Sequence, residues 1–217
     1  MFQNKKPVIA IDGTAGSGKG TLAKKIAKVL NFDHLDTGLL YRILAYEFLK
    51  SNKDLKMLKE VNINLNIFID KKKIKLMNLR SEEITKISSE IAKLKFVRQK
   101  LISLQRKFAN YPPNGVGSVI DGRDITSVIT PNAEVKFYID ADVKIRAERR
   151  LSQLDLPRSC YNEILKDLIK RDFQDKRRKI SPLIKTTDSQ LIDTSKISES
   201  EVLIKAIEHI KKKTDII

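Results

Sequence analysis

Val8-Ile9-Ala10-Ile11-Asp12 runs directly into Gly13-Thr14-Ala15-Gly16-Ser17-Gly18-Lys19-Gly20-Thr21. The apolar run reads as a buried strand, and the segment after it is a glycine-rich loop that ends on a lysine. Glycines at 13, 16 and 18 permit backbone angles closed to other residues, so successive amide N–H groups can turn inward around an anion. A helix beginning near Gly18 adds its positive end, and Lys19 is placed to reach β- and γ-phosphates as a point charge. The spacing is Gly-x4-Gly-Lys, but Gly20 follows the lysine and the hydroxyl comes one step later, at Thr21. Most phosphate-binding loops set a Mg²⁺-binding Ser or Thr directly after the lysine.

Outward from this loop, strand-like runs recur at 34–36, 116–121, 135–140 and 190–193, with helix-period stretches between most of them. With 8–12 they imply a parallel sheet covered by helices on both faces. Each run ends in or near an acidic residue, and in open α/β sheets the carboxyl ends of the strands line the ligand crevice. Two stretches break the alternation. Residues 61–79 alternate apolar and polar through Ile63-Asn64-Leu65-Asn66-Ile67, then continue after a lysine turn with Ile74-Lys75-Leu76-Met77, which predicts a small β insert. Residues 151–178 are charged, with few large apolar residues between 153 and 163, and suit a mobile lid followed by a helix.

Ile87, Ile91, Leu94, Val97, Leu101, Leu104 and Phe108 recur at three- and four-residue steps from Ile84. They predict one long amphipathic helix, ended by Pro112-Pro113-Asn114-Gly115. The expected organisation is a single phosphate-loop domain over 1–217, with an insert at about 55–90 and a lid at about 151–178.

A chain of 217 residues can bury a full core without staples. The single cysteine, Cys160, excludes an internal disulfide and fits a reducing compartment. No segment approaches the ~20 apolar residues of a membrane span, and 8–11 is too short for a signal-peptide core. A cytoplasmic monomer without a membrane partner is expected. Lys and Arg number 43 against 27 Asp and Glu, a formal net charge of +16, which directs attention to anionic partners. The lysines are spread along the chain, with short clusters at 71–73 and 211–213, and aromatics do not interleave with them. That suits a solvated surface that attracts nucleotides, with no nucleic-acid partner.

Three further constellations carry chemistry. Leu35-Asp36-Thr37-Gly38 ends the second run and Tyr41-Arg42 follows; a hydroxyl and a guanidinium five residues apart can hold a phosphate, while Thr37 as a helix cap is the plain alternative. Asp121-Gly122-Arg123-Asp124 closes the third run. Arg123 can bridge phosphates bidentately and Asp121 can hold a metal-bound water, against the alternative of a solvated turn with its own Arg–Asp pair. Arg171, Asp175 and Arg178 share one helical face, as an ordinary ion pair also would. Arg146, Arg149 and Arg150 suit a solvated face, and His34 takes no role.

Together these phrases resemble bacterial cytidylate kinase, almost end to end. The resemblance is carried by Ala10-Ile11-Asp12-Gly13 through Thr21, with the Gly-Lys-Gly-Thr ending of nucleoside monophosphate kinases, and by Leu35-Asp36-Thr37-Gly38 with Tyr41-Arg42. It continues through Leu79-Arg80-Ser81, Ser89 with Val97-Arg98, Asp121-Gly122-Arg123-Asp124 and Arg146-Ala147-Glu148-Arg149-Arg150. It ends with Arg171-Asp172, Asp175, Arg178, Ser181-Pro182-Leu183 and Ile192-Asp193-Thr194-Ser195.

The resemblance implies transfer of a phosphoryl group from ATP, with Mg²⁺, to CMP or dCMP. It implies ATP binding by Gly13, Thr14, Ala15, Gly16, Ser17, Gly18, Lys19, Gly20, Thr21 and Arg149. It implies CMP binding by Thr37, Arg42, Ser89, Arg98, Asp121, Arg123, Asp124, Arg171, Asp175 and Arg178, and a catalytic set of Lys19, Arg123, Arg171 and Arg178. Ser89, Arg98 and Asp124 would read cytosine and Asp175 the ribose. Cytosine offers an exocyclic amine and ring acceptors, so a carboxylate can accept where an arginine donates; uracil would turn a carbonyl oxygen toward that carboxylate. Thr126-Ser127, where the family has Gly-Thr, Thr130, where it has an aromatic, and Leu39-Leu40 depart from the family pattern. A kinase for UMP, AMP or a non-nucleotide acceptor, and a basic phosphate-loop protein that binds nucleic acid, are the alternatives.

Overall fold

The computed structural model describes residues 6–60, 77–79 and 81–217. The expected β insert at 61–79 and the Arg80 of the resemblance lie almost wholly outside these residues. Five strands, β1 (Val8–Gly13), β2 (Asp33–Asp36), β3 (Ser118–Gly122), β4 (Val135–Asp140) and β5 (Gln190–Asp193), form an all-parallel sheet in the order β2-β3-β1-β4-β5. β1 is central, with Ile11 opposite Asp121 on one side and Phe137 on the other. All six residues of β1 are buried, as both faces of a covered parallel strand require.

The chain divides into two compact units, residues 1–35 with 107–217, and residues 36–106. In the first, α1 (Lys19–Leu30) and α8 (Glu199–Lys213) bury Leu22, Ile26, Val202, Ala206 and Ile210 in one cluster with Ile9, Ile11, Val119, Phe137, Ile139 and Ile192 of the sheet. Fully burying side chains of this kind contributes about 1.5–3 kcal/mol each before entropy is counted. Ser198 caps α8 in a reciprocal capping box with Glu201. Two further helices, α6 (Val143–Leu154) and α7 (Tyr161–Arg177), form a smaller cluster in which Ala147 and Leu168 meet Ala15 of the glycine loop.

In the second unit, α2 (Thr37–Lys50), α3 (Leu55–Glu60), α4 (Glu82–Ile91) and the larger part of α5 (Lys95–Asn110) bury Leu40, Leu44, Leu58, Ile84, Val97 and Leu101 together. The single helix expected from Ile84 to Phe108 is therefore two. The apolar stripe runs on through Leu94, so its period hides the break at 92–94. There the amides of Lys93 and Leu94 turn back to Glu90 and Ile91 in tighter three-residue bonds. The guanidinium of Arg98 donates to the Ala92 carbonyl at 3.1 Å, supplying a partner at the end of α4.

Candidate active site

The loop between β1 and α1 closes on itself. The Thr14 carbonyl accepts from the Ser17 hydroxyl at 3.0 Å and from the Lys19 ammonium at 3.2 Å, while the Thr14 hydroxyl donates to Asp140 at the end of β4 at 2.6 Å. A Cβ on Gly13 would stand 2.1 Å from the Ile139 carbonyl oxygen, so the strand can pass β4 only as glycine. Gly18 sits at φ 88° and caps α1, which begins at Lys19 as the loop pattern predicts.

Two buried charges and one exposed arginine hold this loop. Arg146 of α6 donates to the Ala15 carbonyl at 3.0 Å and the Ala141 carbonyl at 2.8 Å, and pairs with Asp172 of α7 at 2.7 Å; Asp172 in turn accepts from the Ala15 amide. Arg146 is thus buried rather than on a solvated face, because its charge meets a carboxylate and two carbonyls. Arg149 donates to the Thr194 hydroxyl at 2.9 Å and carbonyl at 2.6 Å, and that hydroxyl donates to the Ser17 carbonyl at 2.9 Å. Arg149 thereby ties α6 to the loop after β5 and, through Thr194, to the phosphate loop.

The end of β3 is a second charged centre. Asp121 and Asp124 are buried, and Arg123 pairs not with either of them but with Asp175 of α7 at 2.8 Å, so the solvated-turn alternative fails. Arg178, which ends α7, lies 3.7 Å from both Asp124 and Asp175 and donates through Nε to the Ser181 carbonyl. Burial works to raise the Asp175 carboxyl, but Arg123, Arg171 and Arg178 outweigh it and hold it below the usual carboxylate range. Burial likewise opposes the charge on Arg123, and Asp175 more than restores it. Two acids and three arginines in one place can neutralise a polyanion once it displaces the internal pairs.

Asp121 also meets His34, whose Nε2 lies 2.7 Å from its Oδ1, and a Cβ placed on Gly20 would stand 3.6 Å from its other oxygen. A carboxylate facing the bare position after Lys19, with room where a side chain would be, fits a hydrated magnesium ion of the oxygen-seeking kind. Asp121 is the oxygen donor that would hold a water of such an ion.

In the second unit, Asp36 and not Thr37 caps α2, accepting from the Leu39 amide at 3.2 Å. Thr37 is the first helical residue and is buried, and Arg42 approaches Asp36 at 4.0 Å. A Cβ at Gly38 would lie 3.3 Å from the Arg42 guanidinium, so the glycine clears that head group. Arg98 is 2% exposed, with its guanidinium carbon 5.8 Å from the centre of the Tyr41 ring. Ser89 donates to the Thr85 carbonyl at 3.1 Å.

Sequence reasoning gave no role in the site to Asp12, Asp140, Asp172 or Thr194, and set Arg146 on a solvated face. Asp12 carried a usable signal, since an acid closing an apolar buried strand must find donors. It finds them at the Thr126 departure, where Ile125–Ile129 forms a π-helical turn. The side-chain oxygen of Ser127 beside it is buried without a hydrogen-bond partner among the described residues. Among those residues no group of three or more metal-binding side chains occurs, and no helix is long and apolar enough to cross a membrane.

Residues 9–212 match the cytidylate kinase family model. A cytidylate kinase of Bartonella tribocorum is 45% identical over 193 residues, covering 88% of each chain. One of Paramagnetospirillum magneticum is 37% identical over 205 residues, covering 92% of this chain and 95% of its own. Among solved structures, an uncharacterized protein from Eubacterium ventriosum superposes with a TM-score of 0.56 at 18% identity, over 95% of this chain and 99% of that one, which is a likeness of fold.

Proposed function

The chain belongs to the cytidylate kinase family, and from that premise we propose that it transfers the γ-phosphoryl group of ATP to the phosphate of CMP or dCMP, giving ADP and CDP or dCDP. The observation that carries this reading is the pairing, in one unit, of a glycine cradle ending in Lys19 with the half-buried Arg123–Asp175–Arg178–Asp124 cluster.

The acceptor is a phosphate monoester with a second pKa of ~6, already mostly ionised at neutral pH, so no catalytic base is required. Catalysis then consists of positioning and charge neutralisation. Lys19 and the amides of the glycine loop would bind the β- and γ-phosphates of ATP. Arg123, Arg171 and Arg178 would exchange their carboxylate partners for the transferring group and the acceptor phosphate. Thr37 and Arg42 would hold the α-phosphate of CMP, and Asp175 the ribose. Ser89, Arg98 and Asp124 would read the base, and Arg149 would support the ATP side. Bound magnesium would offset charge on the β- and γ-oxygens, with Asp121 holding its water. Movement of 151–178 would exclude water from the reaction.

ADP release with Mg-ATP against CMP, dCMP, UMP, AMP, GMP and shikimate tests the reading. Stimulation by CMP and dCMP well above the no-acceptor control is expected. Stimulation by another acceptor alone would discard the base assignments, and none from any would discard the reaction.

A further inference from the structure

The fully buried Asp12 carboxylate accepts three hydrogen bonds from one turn: from the Ile125 amide at 2.9 Å, the Thr126 amide at 2.8 Å and the Thr126 hydroxyl at 2.7 Å. Ile125 and Thr126 directly follow Asp124, and the Asp124 carbonyl accepts the Val128 and Ile129 amides at 2.9 and 3.1 Å. Asp124 is therefore the hinge point of a turn whose next two residues are pinned to the last residue before Gly13. Buried carboxylates are satisfied by such donors or are costly, and bonds to a charged acceptor are the stronger class. Burial pushes the Asp12 carboxyl up to about 6, and the Thr126 hydroxyl is the strongest influence opposing it.

We propose that Thr126 is a specificity-determining positioning residue, whose hydroxyl, through Asp12, fixes the turn that presents Asp124 to the nucleobase. The inference rests on the reading above, in which Asp124 discriminates cytosine from uracil. Discrimination of that kind depends on a carboxylate being held where an amine is matched and a carbonyl oxygen repelled; a turn free to shift by a fraction of an ångström lets the carboxylate retreat from the wrong base. The hydroxyl touches neither nucleotide in this scheme and acts only through Asp12. The same carboxylate couples the turn to the start of the phosphate loop, but Gly13 is separately paired with Ile139 in the sheet and the Thr14 amide donates to the Ile139 carbonyl, so ATP binding is not expected to depend on the Thr126 bond.

The test compares kcat/KM for CMP and UMP, together with KM for ATP, in the wild type, Thr126→Val and Thr126→Ser. The expected result is a fall of roughly three- to tenfold in the CMP-over-UMP ratio for the valine variant, with KM for ATP unchanged and the ratio restored by serine. Thr126→Ala, which only deletes atoms, is read in the same way if valine is not accommodated. A valine or alanine variant as selective as the wild type overturns the inference. So does a loss that serine fails to restore, or an equal loss towards ATP and both acceptors, which marks a merely structural role. A wild type that does not favour CMP removes the underlying reading, whereas a selective wild type with an equally selective valine variant removes this inference alone.

Discussion

At the scale of single residues, the cluster proposed to meet the acceptor is a set of charges already partnered with one another. Arg178 illustrates this: it stands near Asp124 and Asp175 at 3.7 Å each, longer than a close ion pair, and holds the Ser181 carbonyl through Nε. On the proposed reading, a guanidinium so placed would meet charge that develops during transfer, which is where electrostatic preorganisation has most effect. Arg178→Ala is expected to lower kcat about a hundredfold while changing KM for CMP little, as steady-state kinetics would read. Equal losses in both constants would count against a transition-state role. Arg171 and Arg178 were legible in the sequence together with Asp175, because their spacing puts the three on one helical face. The pairing of Arg123 with Asp175 was not, since the two lie 52 positions apart and only the fold brings them to 2.8 Å.

At the scale of elements, the junction of β1 and α1 was readable almost residue by residue, because glycine, apolar run and lysine are each demanded by local geometry. Gly13 has the least tolerance. The backbone carbonyl of Ile139 lies where a methyl group would go, and paired strands cannot move apart to admit it. Gly13→Ala is expected to cost about 3 kcal/mol or more of stability, seen as a lower urea midpoint, and to abolish ADP formation. By contrast, the break between α4 and α5 left no trace in the pattern. Neither proline nor glycine marks it, and burial of Ile91, Val97 and Leu101 continues across it, so the three- and four-residue rhythm describes the buried face and not the hydrogen bonds behind it.

At the scale of the whole molecule, the pattern of strands and intervening helices fixes one covered parallel sheet, while long-range ties such as Asp12 to Thr126 and Arg146 to Ala15 appear only once that sheet is folded. Such ties also shape the response to acid. Asp175 has a folded pKa below its ordinary value, so its contribution is present above about pH 4 and lost as pH falls through the lowered value. Asp12, raised to about 6, acts the other way, losing its contribution as pH rises from about 4 to 6. Asp175→Asn is therefore expected to lose less stability between pH 5 and 3 than the wild type, measured by urea unfolding at each pH; an identical decline in both would show that the arginines give Asp175 no net stabilisation. One consequence concerns the grip on Ala15. Asp172 brings a negative charge against the loop that must receive the polyphosphate of ATP, an arrangement that by itself would repel the substrate. Arg146, buried at 2.7 Å, cancels that charge where it stands. The pair is thus an electrically silent clasp: it secures the loop by hydrogen bonds to both sides of one peptide residue, and leaves Lys19 and the helix end to set the field that the phosphates meet.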